Sequence, residues 1–184
     1  SIKGNLKGWQ ENIAEYAQGN SRLIMAITTP LAAPFLTPLQ VDGHIFNLYG
    51  NSSIGKSSAL AATCSVTGFE MNNFLNTNNS MESVLVSHND GCVVIDEMGL
   101  AHPDRMGNFV YMVVTGKTKG RANQKGDRLD TACFKNNGLA SAETTLEGKM
   151  GENGNKATAG QEVRFVDIPA DAGCGFGIFE NTHG

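Results

Sequence analysis

Cysteine is scarce and carries no pairing pattern. Cys64, Cys92, Cys133 and Cys174 are the only four in 184 residues, and no two are spaced C-x-x-C. That argues against a disulfide framework or a zinc site, and small buried thiols are the default reading for Cys64 and Cys92. A membrane-spanning run is also missing. The apolar stretch from Leu23 to Leu36 is interrupted by Thr28, Thr29, Pro30 and Pro34 and falls short of the about 20 residues a spanning helix needs. With no secretory signal pattern either, a cytoplasmic protein without membrane contact is expected. Excess positive charge is absent: the net charge is -4, so the overall balance makes no case for nucleic acid. What the chain has in quantity is glycine, 22 residues, with asparagine also plentiful, which implies many loops. Its length suits one domain with a sizeable core. The sequence opens without Met and closes on a glycine-rich run with no closing element, so a fragment of a larger chain is expected.

Against that background one stretch stands out. Gly50-Asn51-Ser52-Ser53-Ile54-Gly55-Lys56-Ser57 fits G-x-x-x-x-G-K-[ST] at every fixed position. Glycine at both ends lets the backbone take turns that a Cβ would block, so that successive N–H groups face a phosphate. Lys56 offers a cation to the β- and γ-phosphates, and the Ser57 hydroxyl reaches a Mg²⁺ ion. The helix expected from Ser57 and Ser58 onward adds its positive end to the same anion site. Context supports the motif, because the strand-like His44–Tyr49 precedes it and Ser57–Cys64 reads as helix.

About 40 residues further on, Cys92-Val93-Val94-Ile95 ends in Asp96-Glu97. A β-branched run closed by two acids is expected of a buried parallel strand whose C-terminal end meets a ligand. Asp96 is the candidate for holding Mg²⁺ and Glu97 for polarising the attacking water. Leu139-Ala140-Ser141-Ala142-Glu143 reads as a further short strand. Ser141 and Glu143 are either sensors beside the γ-phosphate or ordinary strand and capping residues. Arg164 lies near the start of a last strand over Gln161–Pro169, as either a salt-bridged strand residue or a finger reaching a neighbour's nucleotide.

Basic residues cluster in one segment: Lys117, Lys119, Arg121, Lys125 and Arg128, with Lys135 close behind. Gln124–Asp127 looks like a hairpin tip. The segment is either a solvated loop or, placed between the acidic strand and the next core strand, an insertion facing the central channel of a ring translocase. Before the phosphate loop, spacing predicts a helix over residues 6–18 and a second, capped by Asn20 or Ser21, that Pro30 and Pro34 kink or end. These two helices pack on the sheet or cover the adenine. Residues 1–40 thus form a helical part and 41–184 a nucleotide-binding core within one domain.

The order of these signals resembles domain-of-unknown-function family nine-two-seven from about Trp9 onward. The more specific stretches are Thr115-Gly116-Lys117-Thr118-Lys119-Gly120-Arg121 and Ala159-Gly160-Gln161-Glu162-Val163-Arg164. The resemblance implies an ATPase of phage, prophage and plasmid replication, often the NTPase part of primase–helicase-like chains. The expected fold is a three-layer α/β P-loop NTPase of the ASCE or AAA+ kind, with a mainly parallel sheet preceded by two helices. The expected activity is ATP hydrolysis with Mg²⁺, coupled to movement on single-stranded DNA within a homo-oligomeric ring, with a fused or associated primase as a further partner. A nucleotide-dependent switch that does not translocate is the competing class, and a small-molecule kinase a third.

Overall fold

The run from Cys92 to Ile95 is buried along its whole length, as expected where a strand sits inside a parallel sheet covered on both faces. The computed structural model describes residues 3–73, 78–118, 131–152, 154 and 163–183. Its sheet has five strands: β1 (Ile45–Tyr49), β2 (Asn72–Asn73), β3 (Gly91–Asp96), β4 (Asn136–Ala142) and β5 (Phe165–Pro169). Their order is β2-β3-β4-β1-β5, and every neighbouring pair is parallel. All C-terminal ends therefore point to the same edge, and β4 separates β1 from β3.

Side chains alternate between two cores, as the period of a strand requires. Ile45, Val93, Ile95, Ala140 and Phe165 face one, which is closed by α5 (Asn78–Ser87), α6 (Pro103–Thr115) and α7 (Leu146–Gly151). Leu48, Cys92, Val94 and Leu139 face the other, under α3 (Ser21–Ala32) and α4 (Lys56–Thr67). The expected three-layer arrangement is thus the one observed. Burial pushes the Cys92 thiol up to about 12, with the nearby Cys64 adding to the rise, so it stays neutral and packs as an apolar group. Cys133 and Cys174 are free and exposed. No helix among the described residues is long and apolar enough to cross a membrane.

The first helical stretch is built of α1 (Leu6–Trp9), a π-helical turn over Gln10–Ala14 and α2 (Glu15–Ala17). Trp9 ties it to α4 by donating its indole N–H to the Ser65 hydroxyl at 2.8 Å. As expected the helix ends near Pro34, in a 3-10 turn over Ala33–Phe35, but α3 runs through Pro30 to Ala32 before it does so. The reason lies in α4. A proline at position 30 has no N–H for the carbonyl of Ala26, and the fully buried Thr63 hydroxyl donates to that carbonyl instead, at 2.9 Å. Asn20 does not cap α3 with its side chain. Its Oδ1 accepts from the backbone N–H groups of Glu180 and Asn181, and its Nδ2 donates to the carbonyls of Tyr16 and Asn181.

Thr63→Val keeps the shape of the side chain but leaves the Ala26 carbonyl buried without a donor. It should cost about 1–3 kcal/mol in urea unfolding. In a Pro30→Ala background the same change should cost clearly less, because the restored backbone N–H at position 30 takes over that carbonyl.

Candidate nucleotide-binding site

The phosphate loop joins β1 to α4 at the C-terminal edge of the sheet, where an open-sheet fold places its ligand. Gly50 takes φ +146° and Gly55 φ +97°, and Ser53 also enters the left-handed region at φ +63°. A Cβ at Gly55 would come within 2.5 Å of Ile178, so both the conformation and the space demand glycine there. Asn51, Ser52 and Ser53 are exposed at the crest, while Ile54 is half-buried on the inner side of the loop. The Lys56 ammonium donates to the carbonyls of Gly50 at 2.7 Å and Asn51 at 2.6 Å. It spans the loop and places its charge in the cleft. Ser57 and Ser58 open the first turn of α4 and line the same cleft.

Asp96 closes β3 opposite Ser57. Its Oδ1 accepts from the Ser57 hydroxyl at 3.5 Å, from the backbone N–H of Glu97 at 3.0 Å and from the Ser141 hydroxyl in a short contact. The Glu97 N–H also points at the Ser141 oxygen, 3.1 Å away. Glu97 is in the left-handed region at φ 53°, a conformation a non-glycine residue holds only where its surroundings fix it. Its side chain is exposed to the cleft. Ser141 comes from the neighbouring strand β4, and Glu143 follows that strand at the cleft wall. The loop, both acids and both expected sensor residues thus border one cleft of about 670 Å³.

Ser57 and Asp96 offer hard oxygen ligands, which suit Mg²⁺ held by one or two protein groups together with phosphates and water. Residues that sequence reasoning missed come from the segment after β5. The Ile178 N–H donates to the Ile54 carbonyl at 2.8 Å, and Ala170 donates to the Tyr49 carbonyl at 2.8 Å. Ile178 is 0% exposed. Gly177 has φ +63°, and a Cβ there would meet the Ile54 carbonyl oxygen at 2.5 Å. The run over 170–183, read from sequence as lacking a closing element, is therefore the back support of the phosphate loop. Glu180 fastens it by accepting from the Ser21 hydroxyl and the Ser21 N–H and by pairing with Arg22 at 3.1 Å. The Ser21 hydroxyl is the main cause holding the Glu180 carboxyl below its ordinary range. That contribution is present at neutral pH and fades as pH falls through the lowered value. Alternating glycines at 173, 175 and 177 were the sequence signal for this turn.

Arg164 immediately precedes β5, whose first residue pairs with the start of β1, so it lies at the edge of the sheet away from the loop. It donates to the Asp42 carboxylate and to the carbonyl of Val114, both in short contacts. Lys117 is exposed and forms an antiparallel bridge with Cys133, and Thr118 N–H donates to the Ala132 carbonyl at 3.0 Å. Lys119, Arg121, Lys125 and Arg128, with the expected hairpin tip at Gln124–Asp127, lie outside the described residues, as do Gln161 and Glu162. Lys135, counted with the basic cluster, instead donates to the Val41 carbonyl at 2.8 Å.

The β2-β3-β4-β1-β5 parallel sheet with a glycine loop after β1 and an acid pair after β3 is the fold of the P-loop NTPases. The chain belongs to the family described as Domain of unknown function (DUF927), whose model matches residues 1–131. A solved structure titled "SCCmec type IV Cch - active helicase" is similar with a TM-score of 0.67 and 21% identity, over 92% of this chain and 32% of that one. The chain thus spans about a third of that helicase's length. RuvB from Thermotoga maritima is similar with a TM-score of 0.43 and 13% identity, over 86% of this chain and 45% of that one. NtrX from Brucella abortus gives 0.45 and 13%, over 91% and 37% respectively. Among curated proteins none matches significantly.

Lys56→Ala should weaken Mg-nucleotide binding by about 1.5–3 kcal/mol, or about tenfold to over a hundredfold, by titration calorimetry. Gly177→Ala should weaken it as well without touching the ligand, because the added Cβ pushes on the Ile54 carbonyl. Unchanged affinity in Gly177→Ala would show that the loop does not depend on its support.

Proposed function

We propose that this domain hydrolyses ATP with Mg²⁺ as the motor of a ring-forming DNA helicase or translocase in mobile-element replication. The observation that carries the reading is the convergence on Asp96: the loop serine and the candidate sensor serine meet at one carboxylate oxygen of the strand acid, in the cleft that Lys56 also lines. Phosphoryl transfer needs little covalent chemistry from protein and much placed charge. Lys56 and the loop amides offset the phosphate charge. Ser57 and Asp96 would hold Mg²⁺, which neutralises charge on the phosphates when bound. Glu97, its backbone fixed through Asp96 and Ser141, orients the attacking water, and Glu143 stands beside it on the cleft wall.

Two further roles belong to assembly. Arg164 lies at the edge of the sheet opposite its own cleft, bonded to Asp42 and the Val114 carbonyl, and as a finger it would leave those partners for a neighbouring subunit's nucleotide. The basic segment from Lys117 to Arg128 contacts single-stranded DNA. The antiparallel pairing of Lys117 with Cys133 supports a hairpin-like base for it, and the likeness to a structure titled an active helicase supports the class. A primase fused to or associated with this domain fits the same setting in the cytoplasm.

Turnover of ATP with and without single-stranded oligonucleotide tests the reading on the full parent chain. Strong stimulation by DNA is expected, whereas nucleotide binding with no turnover under either condition favours a switch. Glu97→Gln should keep nucleotide affinity and lower kcat by about 10²–10⁴. Replacing Lys119, Arg121 and Lys125 with Ala should weaken DNA binding for all sequences. It should also flatten the dependence of log affinity on log salt by about 2, at about 0.7 per phosphate contact.

A further inference from the structure

The strand β1 carries one polar residue into the core beneath α7. Asn47 is 2% exposed and lies on the face shared by Ile45, directly beside Asp167 of β5 in the sheet register. A buried carboxamide in a parallel strand costs stability unless it is bonded; Oδ1 of Asn47 has no partner among the described residues, and the bonds of its Nδ2 lead to a single place. Asn47 Nδ2 donates to Asp167 Oδ1 at 2.6 Å and approaches the Thr144 carbonyl at 3.4 Å. The second carboxylate oxygen of Asp167 accepts the Leu146 N–H at 2.9 Å. Thr145 caps the same turn by accepting from the Gly148 N–H at 3.1 Å.

These bonds bracket the segment that leaves β4. Glu143 and Thr144 line the nucleotide cleft, and so does Glu152 just beyond α7. Glu152 is held by Lys149 at 2.8 Å. Core-side bonds fix this segment at the Thr144 carbonyl and the Leu146 N–H. Asp167 does so from two strands away, with one oxygen on the strand and the other on the helix start. A carboxylate that accepts at both oxygens has little freedom to rotate.

We infer that Asp167, working through Asn47, is a positioning residue that sets the Glu143–Leu146 segment, and with it the Glu143 carboxylate, at the cleft wall. This rests on the nucleotide-hydrolysing reading of that cleft. Asp167 touches neither nucleotide nor water. It acts on the placement of the group that does, so its removal lowers turnover while leaving phosphate-loop binding in place. The conservative amide should preserve most of the arrangement. An Asp167→Asn carboxamide oxygen still accepts from the Leu146 N–H, and a flipped Asn47 amide can accept from the new N–H group.

The test uses the full parent chain with saturating Mg-ATP and single-stranded oligonucleotide. Asp167→Ala should lower kcat at least tenfold, with nucleotide affinity within about threefold of the parent. Asp167→Asn should retain kcat within about threefold. Parental turnover in Asp167→Ala overturns the inference, and so does an equal loss in both variants or a loss that only tracks the folded fraction. Amide exchange at Leu146 in the unaltered chain gives a reading that needs no variant. It should be slow, and exchange as fast as in exposed loops overturns the clamp. If the unaltered chain turns over no ATP, the hydrolytic reading fails, while slow Leu146 exchange still upholds the anchoring.

Discussion

Oδ1 of Asp96 receives donors from the start of α4, from β4 and from the residue after β3. Three segments that are distant in sequence are thereby held at one point by charge-assisted bonds, of which the one from Ser141 is also partly withdrawn from water. The strand order makes this meeting unavoidable. With β4 between β1 and β3 and all strands parallel, the loop after β1 and the acids after β3 must flank the end of β4. Moving Ser141 by one position along its strand would turn its hydroxyl to the opposite face of the sheet. It would then be lost to Asp96.

The phosphate loop, the acid pair and the parallel sheet were legible in the sequence because each rests on local constraints. Two glycines with fixed spacing, a β-branched run and a helix start can be read within a dozen residues. That α3 continues past Pro30 was not legible because the compensation comes from Thr63, 37 residues from the Ala26 carbonyl it serves, a separation no window on the sequence contains. Asn20 misled in the same way: a capping residue by type, it spends its amide on the segment at Glu180 and Asn181. The support behind the loop was signalled only by its alternating glycines at 173, 175 and 177, which mark a turn but not what it packs against. Its order comes from backbone groups meeting across the chain, and glycine content alone signals only a loop.

Charged side chains gather at both ends of the sheet. The cleft edge carries Asp96, Glu97, Glu143 and Glu152 around Lys56. Lys117 and Arg164 lie toward the other edge, where Arg164 bonds the last turn of α6 just before the basic segment begins. The Asp42–Arg164 pair, more than half exposed on the Asp42 side, contributes little to stability by itself.

The bond from Ile178 to Ile54 closes a loop in chain order as well as in space. During synthesis the phosphate loop leaves the ribosome well before Gly177 and Ile178, which follow only after every described strand of the sheet has been made. Domains fold as units while chains are made at about 5–20 residues per second. A growing chain would therefore carry the glycine loop for several seconds before its support exists. Affinity for nucleotide would arise late and all at once, so that an incomplete translation product, even one containing the whole motif, would not withdraw nucleotide from the cell.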